Sequence, residues 1–316
     1  MSDATPAKTP KPEEPKGWMD KIGAALPIGL TALATVFAGM STGALQQAMY
    51  WKSQSGQDQS KATSQWTLAG SKVDRSLIMQ TAAAQLWVSA AGKKPDLSPD
   101  PNSAAEKTAA EWLGGKGPPA AYRRGAPAKD REGRVGMPDL TSPPLQELLE
   151  LIRKRAPEDE IIRKSAHVNA ADINTAIDDA EAANERITEG EWSPVVGAAR
   201  KLAADARKKD ASDAVARGAA NQAAQFEMEQ RRYRAEATLN QEIAILYEAR
   251  VRVSSAESDK HRRKSQTLFI AMLVAQIGGV VSSLALARKQ KSALWLFAAT
   301  AGLVAIGFGG YVLMDF

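Results

Sequence analysis

The chain contains no cysteine and only two histidines in 316 residues. Without cysteine it has no disulfide, no thiol nucleophile and no thiolate metal site. His167 and His261 are far apart in sequence, and neither has a partner at HExxH spacing or in another ligand pattern. There is no phosphate-cradling GxxxxGK[ST] motif, no strand–GxGxxG–helix unit and no GxSxG elbow between a strand and a helix. Paired acids such as Asp178-Asp179 and Glu158-Asp159-Glu160 lie in salt-bridge-rich helical text, where they read as solvated faces. The expectation is therefore a protein that is not an enzyme, with no catalytic, cofactor-binding or metal-binding residues and no small-molecule substrate.

Charge of one sign is also missing over any long stretch. The net charge of +5 is scattered, and residues 145–266 balance 21 Lys/Arg against 22 Asp/Glu. A counterion-releasing nucleic-acid surface needs a continuous basic face, so no nucleic acid is expected as a partner. The one dense cluster is Lys260-His-Arg262-Arg263-Lys264, which abuts an apolar run and reads as a membrane-interface anchor.

Charge is wholly absent from three runs: Ile22–Trp51, Thr267–Ala287 and Ser292–Met314. About 20 apolar residues at about 1.5 Å rise cross a bilayer as a helix, so the expected spans are 22–45, 267–287 and 292–314. The first run is longer than a signal-peptide core and continues into polar helix, which argues against cleavage. The spans hold no ionisable residue of the kind that pumps and proton relays place in the membrane; Gln276 is the main polar exception. Gly39-Met-Ser-Thr-Gly43 is a GxxxG motif, and Gly279 and Gly302 offer further close-packing positions. Trp18, Trp295 and Tyr311 are candidate interface anchors beside Arg262, Arg263 and Lys264.

Between the spans the text is polar. Residues 1–21 form a Pro/Lys tail expected to be disordered, and 46–91 read as a helix continuing from the first span. Trp66, Gly70, Val73, Leu77, Ala84 and Val88 fall on one stripe, expected to be buried against a neighbouring helix. Residues 92–144 hold nine of the sixteen prolines and read as a linker, with a short helix at Ala104–Leu113 and a solvated Trp112. Residues 145–266 read as a helical bundle. Ile173, Ile177, Ala180, Asn184 and Ile187 form a heptad-like seam, and Gly190–Pro194 reads as a turn before a new helix. The last long helix is expected to start near Gln225. It carries two adjacent stripes, one through Leu239, Ile243, Leu246 and Val253 and one through Ala237, Asn240, Ala244 and Val251, so a broad face is buried. No proline or glycine interrupts 219–277, so this helix is expected to run into the second span.

The blocks Leu33 to Leu77, with FAGMSTGALQQAMYW, and Tyr233 to Leu296, with AEATLNQEIAILYEARVRVSSAE, cover about a third of the chain. In these blocks and in its span arrangement the chain resembles a bacterial membrane-protein family of unknown function, with one N-terminal and two C-terminal transmembrane helices around a helical middle domain. The resemblance implies a multi-pass protein of the bacterial inner membrane and attributes no activity to it.

The fold class expected is an all-α membrane protein: three transmembrane helices plus a long-helix, coiled-coil-like extramembrane bundle. The function expected is that of a membrane-anchored scaffold or envelope-associated interaction protein. Its partners would be the lipid bilayer and a homo-oligomer or another membrane protein. The alternative is a small oligomeric channel or transport accessory subunit. Lysines in the tail and basic residues in the 288–291 loop lean the topology towards a cytoplasmic tail and an external middle domain.

Overall fold

The computed structural model describes residues 18–95, 97–115, 142–208, 214–287 and 293–315. Every regular element among them is helical. Helix α1 (Trp18–Ser89) is followed by α2 (Ala104–Leu113), α3 (Pro143–Lys154), α4 (Glu158–Ser165), α5 (Ala170–Glu185), α6 (Ser193–Lys208), α7 (Ala214–Ala287) and α8 (Ala293–Asp315). Helices α1 and α7 run unbroken for 72 and 74 residues. Three helices, α1, α7 and α8, are long and apolar enough to cross a membrane. The chain divides into a helical unit, Ser53–Ala256, and a membrane unit, Met1–Lys52 with Glu257–Phe316.

In the helical unit α1 and α7 lie antiparallel. The pairs that join them run in opposite order: Ser55 with Ser255 (3.1 Å), Asp58 with Arg250 (2.8 Å), Lys72 with Glu236 (2.8 Å) and Trp87 with Glu227 (2.7 Å). The row of α1 that faces inward is Ser55, Ala62, Ala69, Ser76 and Ala83, continued by Ala90 just past its end, all buried and spaced by seven residues. A strict seven-residue repeat is the period of a left-handed coiled coil. Small side chains at every core position let the two backbones approach closely. From α7 the buried Ala223, Ala237, Ala244 and Val251 answer at the same spacing or its multiple.

A polar layer interrupts this seam at Asp58. The Asp58 carboxylate is fully buried; it accepts from Arg250 Nε at 2.8 Å and from Gln54 Nε2 at 3.3 Å. A buried charge persists only when paired, and such a layer penalises any slipped register.

The opposite face of α7 supplies the main core. Ile243, Leu246 and Val253 pack with Leu145, Leu148 and Leu149 of α3, Ile161 of α4 and Ile173 and Ile177 of α5. A second core gathers Trp112 of α2, Trp192, Val196 of α6, and Met228 and Leu239 of α7. The two stripes read from the α7 sequence are thus both buried, one against α1 and one against the bundle.

Four expectations change. Val73, Leu77 and Val88 of the expected stripe are exposed, Val88 by 83%, because the small-residue row takes the inward face instead, while the Trp66 indole N–H donates to Glu248 of α7 at 2.7 Å. Trp112 is buried, its ring edge-on to Trp192 at 6.2 Å, so α2 is docked rather than part of a free linker. Ser103 caps this helix, its hydroxyl accepting from Glu106 N. The turn expected at Gly190–Pro194 is instead a π-helical segment, Arg186–Trp192, joining α5 to α6 without a break. Pro194 lacks an N–H and crowds the carbonyl four residues before it; the wider turn accommodates both. Finally, α7 begins at Ala214, earlier than Gln225. The expected tail before Trp18, residues 116–141 with Tyr122-Arg123-Arg124, and the 288–291 loop lie outside the described residues.

Candidate functional site

The membrane unit is built from the first part of α1, the last part of α7, and α8. Its interior is made of small and shape-matched residues: Ala34, Phe37, Leu268, Ala271, Ala275, Ala305 and Val312. Large side chains such as Ile28, Phe269, Ile277, Leu296 and Leu303 point outward. In water such an outward apolar surface would be strongly unfavourable, whereas hydrocarbon is a matching solvent for it.

Glycines set the helix approach. A Cβ at Gly302 would lie 3.1 Å from Leu30 Cδ2, and one at Gly278 would lie 3.0 Å from Ala301 Cβ. A Cβ at Gly309 would overlap the Phe37 ring at 2.5 Å, so α8 lies against Phe37 only because that position has no side chain. The pairs Leu30–Gly302 and Phe37–Gly309 rise together, which makes α8 parallel to α1 and leaves α7 antiparallel to both. Gly279 packs more loosely, with Leu30 Cβ at 3.8 Å from its added Cβ. Gly39 and Gly43 have open space around them, so the GxxxG face makes no close contact among the described residues.

The letters Gly39-Met-Ser41-Thr-Gly43 also spell GxSxG. They lie inside α1 rather than on a strand-to-helix turn, and the Ser41 hydroxyl is buried, 3.0 Å from the Ser265 carbonyl and 3.1 Å from its hydroxyl. A nucleophile elbow needs an exposed serine on a strained turn, so this serine is a packing contact.

The same contacts fix the depth of the helices. Ser41 meets Ser265, and the Ala48 carbonyl accepts from Ser258 Oγ at 2.9 Å. Seven steps along α1 thus match seven steps back along α7. Lys264 is the last charged residue of α7 before its apolar run, and the uncharged residues from Ser265 onward lie level with Ile22–Ser41 of α1, four residues short of the expected end at 45. Residues 42–46 lie level with Lys260–Lys264. Arg262 and Arg263 are exposed, Lys264 is half-buried, and none of the three has an ion-pair partner among the described residues. Trp295 is half-buried near the start of α8 and Tyr311 is exposed near its end. Trp18 opens α1, and its side chain lies outside the described residues.

A groove of about 680 Å³ runs along the outside of the membrane unit between α1 and α7. Thr31, Thr35 and Ala38 line one wall, and Gln276, Gly279 and Ser283 line the other. The hydroxyls in it are satisfied by their own helices: Thr31 donates to the Pro27 carbonyl, Thr35 to the Thr31 carbonyl and Ser283 to the Gly279 carbonyl. Gln276 is exposed, and its carboxamide has no hydrogen bond among the described residues.

In the helical unit the notable polar groups hold structure together. Tyr247 donates to Glu181 at 2.7 Å, and burial together with that bond pushes its phenol well above the usual range. Lys201 and the Asp100 backbone N–H both donate to Glu106 and hold its carboxyl below the usual range. Arg231, half-buried, donates to the Trp112 carbonyl at 2.5 Å and so ties α2 to α7. The Tyr247–Glu181, Lys201–Glu106 and Arg231–Trp112 bonds each join two helices of the bundle, and the Asp100 bond ties the preceding loop to α2. Sequence reasoning did not find the Ser41–Ser265 pair or the Asp58–Arg250 layer, because their partners are about two hundred residues apart.

No family model, no curated protein and no solved structure matches the chain.

Proposed function

We propose that this chain is a non-enzymatic, membrane-anchored scaffold of a bacterial envelope, which binds a partner protein or further copies of itself through the outward face of α1. The observation that carries this reading is the row Val73, Leu77 and Val88, with Ile78 beside it. These are large apolar side chains at helical spacing, exposed on the helical unit while the inward face of the same helix is Ala and Ser. A contiguous exposed apolar row is costly to keep in water unless something covers it. Photo-crosslinkers placed at Leu77 and Val88 in native membranes should capture one discrete adduct, and one placed at Arg75, which turns towards Tyr233 of α7, should not. A protein that stays uncrosslinked at all three positions would overturn the reading.

A second reading, a small oligomeric channel or transport accessory, draws on the hydroxyl-bearing and carboxamide-bearing groove of the membrane unit. It predicts conductance from purified protein in planar bilayers. Silent membranes across voltage, tension and pH would count against it.

A further inference from the structure

We propose that the membrane unit associates with a second copy of itself through the α1–α7 groove, with the Gln276 carboxamides of the two copies hydrogen-bonded to each other at mid-membrane. Gln276 has nine residues of the charge-free run before it and eleven after it. At about 1.5 Å per residue, both ends are well over 10 Å away. The side chain is too short to reach water from there, and it points out of the three-helix unit with no partner among the described residues. Lipid tails can neither donate nor accept, so an amide left against them is strongly disfavoured. The other polar groups of the groove are already bonded to their own backbones.

The choice of a second copy follows from the membrane. Copies inserted with one topology share a depth for every residue, so a two-fold axis along the membrane normal brings each residue near its own counterpart. For a charged residue that meeting would be repulsive. A carboxamide carries its partial positive charge on the NH2 and its partial negative charge on the oxygen, so two of them are complementary and satisfy each other. Gly279, a small residue one turn from Gln276 on the same groove, leaves room for the approach.

This inference rests on the membrane reading of residues 267–287 and is independent of the outward row of α1. The chain lacks native cysteine, so Val280→Cys, one turn from Gln276 on the groove, reports the contact by oxidative crosslinking of the full chain in liposomes. The expected result is a disulfide-linked dimer for Val280→Cys and none for Leu303→Cys on α8. Adding Gln276→Leu should weaken association about 3- to 30-fold in a dilution series followed by energy transfer, the range for one or two interhelical bonds in lipid. Gln276→Asn, which keeps the carboxamide, should retain most of it. Equal association of the wild type and Gln276→Leu would overturn the proposal, as would a Val280→Cys chain that stays monomeric at every protein-to-lipid ratio. Crosslinking at Leu77 in the same samples separates the two readings: a retained adduct there with no dimer at Val280 defeats only this one.

Discussion

Asp58→Ala should destabilise the α1–α7 seam of the helical unit far more than the loss of a surface ion pair would. The carboxylate is fully buried, while the Arg250 side chain keeps 19% of its exposure. Removing the acid leaves the guanidinium charged in the seam, with Gln54 as a poor substitute partner. Breaking a fully buried pair costs about 3–5 kcal/mol, and the partial exposure of Arg250 brings the expected loss to about 2–3 kcal/mol. Arg250→Ala should cost a similar amount, because it leaves a buried carboxylate. The double variant should lose less than the sum of the two, and Asp58→Leu with Arg250→Met should recover most of the stability, since a matched apolar pair needs no desolvation repayment. Hydrogen exchange on the full chain in detergent micelles reads the opening free energy of amides in 53–62 and 244–256 directly. Single variants that each lose under about 0.5 kcal/mol, and that add, would refute the argument that this pair is a coupled register device.

The seam makes a paired prediction about α1. Ala69→Leu should cost at least about 1–3 kcal/mol by overpacking, whereas Leu77→Ala on the outward face should change the stability of the isolated chain by under about 0.5 kcal/mol; denaturant midpoints in micelles compare them. In the membrane unit, Gly309→Ala should lower thermal stability in detergent by about 1–3 kcal/mol, because its Cβ would meet the Phe37 ring at 2.5 Å, and Phe37→Leu should restore part of the loss. Acid should loosen α2. The folded Glu106 carboxyl titrates below its ordinary 4.5, so its stabilising effect is present above that value and is lost as pH falls through the lower folded value. Lys201→Met should move the pH at which α2 amides lose exchange protection upward, towards 4.5, and an unmoved midpoint would contradict the Lys201–Glu106 linkage.

The spans were legible because length without charge is a strong signal, and the bundle face of α7 was legible because Ile243, Leu246 and Val253 are large. The α1 face was misread for a physical reason. Hydropathy follows large side chains, and Val73, Leu77, Ile78 and Val88 are exposed, while the core row of Ala and Ser carries little hydropathy. The usable signal was the unbroken recurrence Ala34, Ser41, Ala48, Ser55, Ala62, Ala69, Ser76, Ala83, Ala90, one small residue every seven positions. Trp112 was hidden by the prolines and glycines around α2, although the Ser103 cap three residues before Glu106 already marked a stable helix start. The contacts that set the depth of α1 against α7 could not be read from sequence at all, because no local pattern reports a pairing between Ser41 and Ser265. Gln276 was visible as the polar exception in its span, but only the three-helix packing shows that it faces outward.

The central claim is that α1, α7 and α8 each cross the membrane once, which places Ser53 and Ser292 on opposite sides. Because the chain has no native cysteine, Ser53→Cys and Ser292→Cys can be labelled singly in sealed vesicles with a membrane-impermeant maleimide. One position should react in intact vesicles and the other only after permeabilisation. Labelling of both from the same side would contradict that claim.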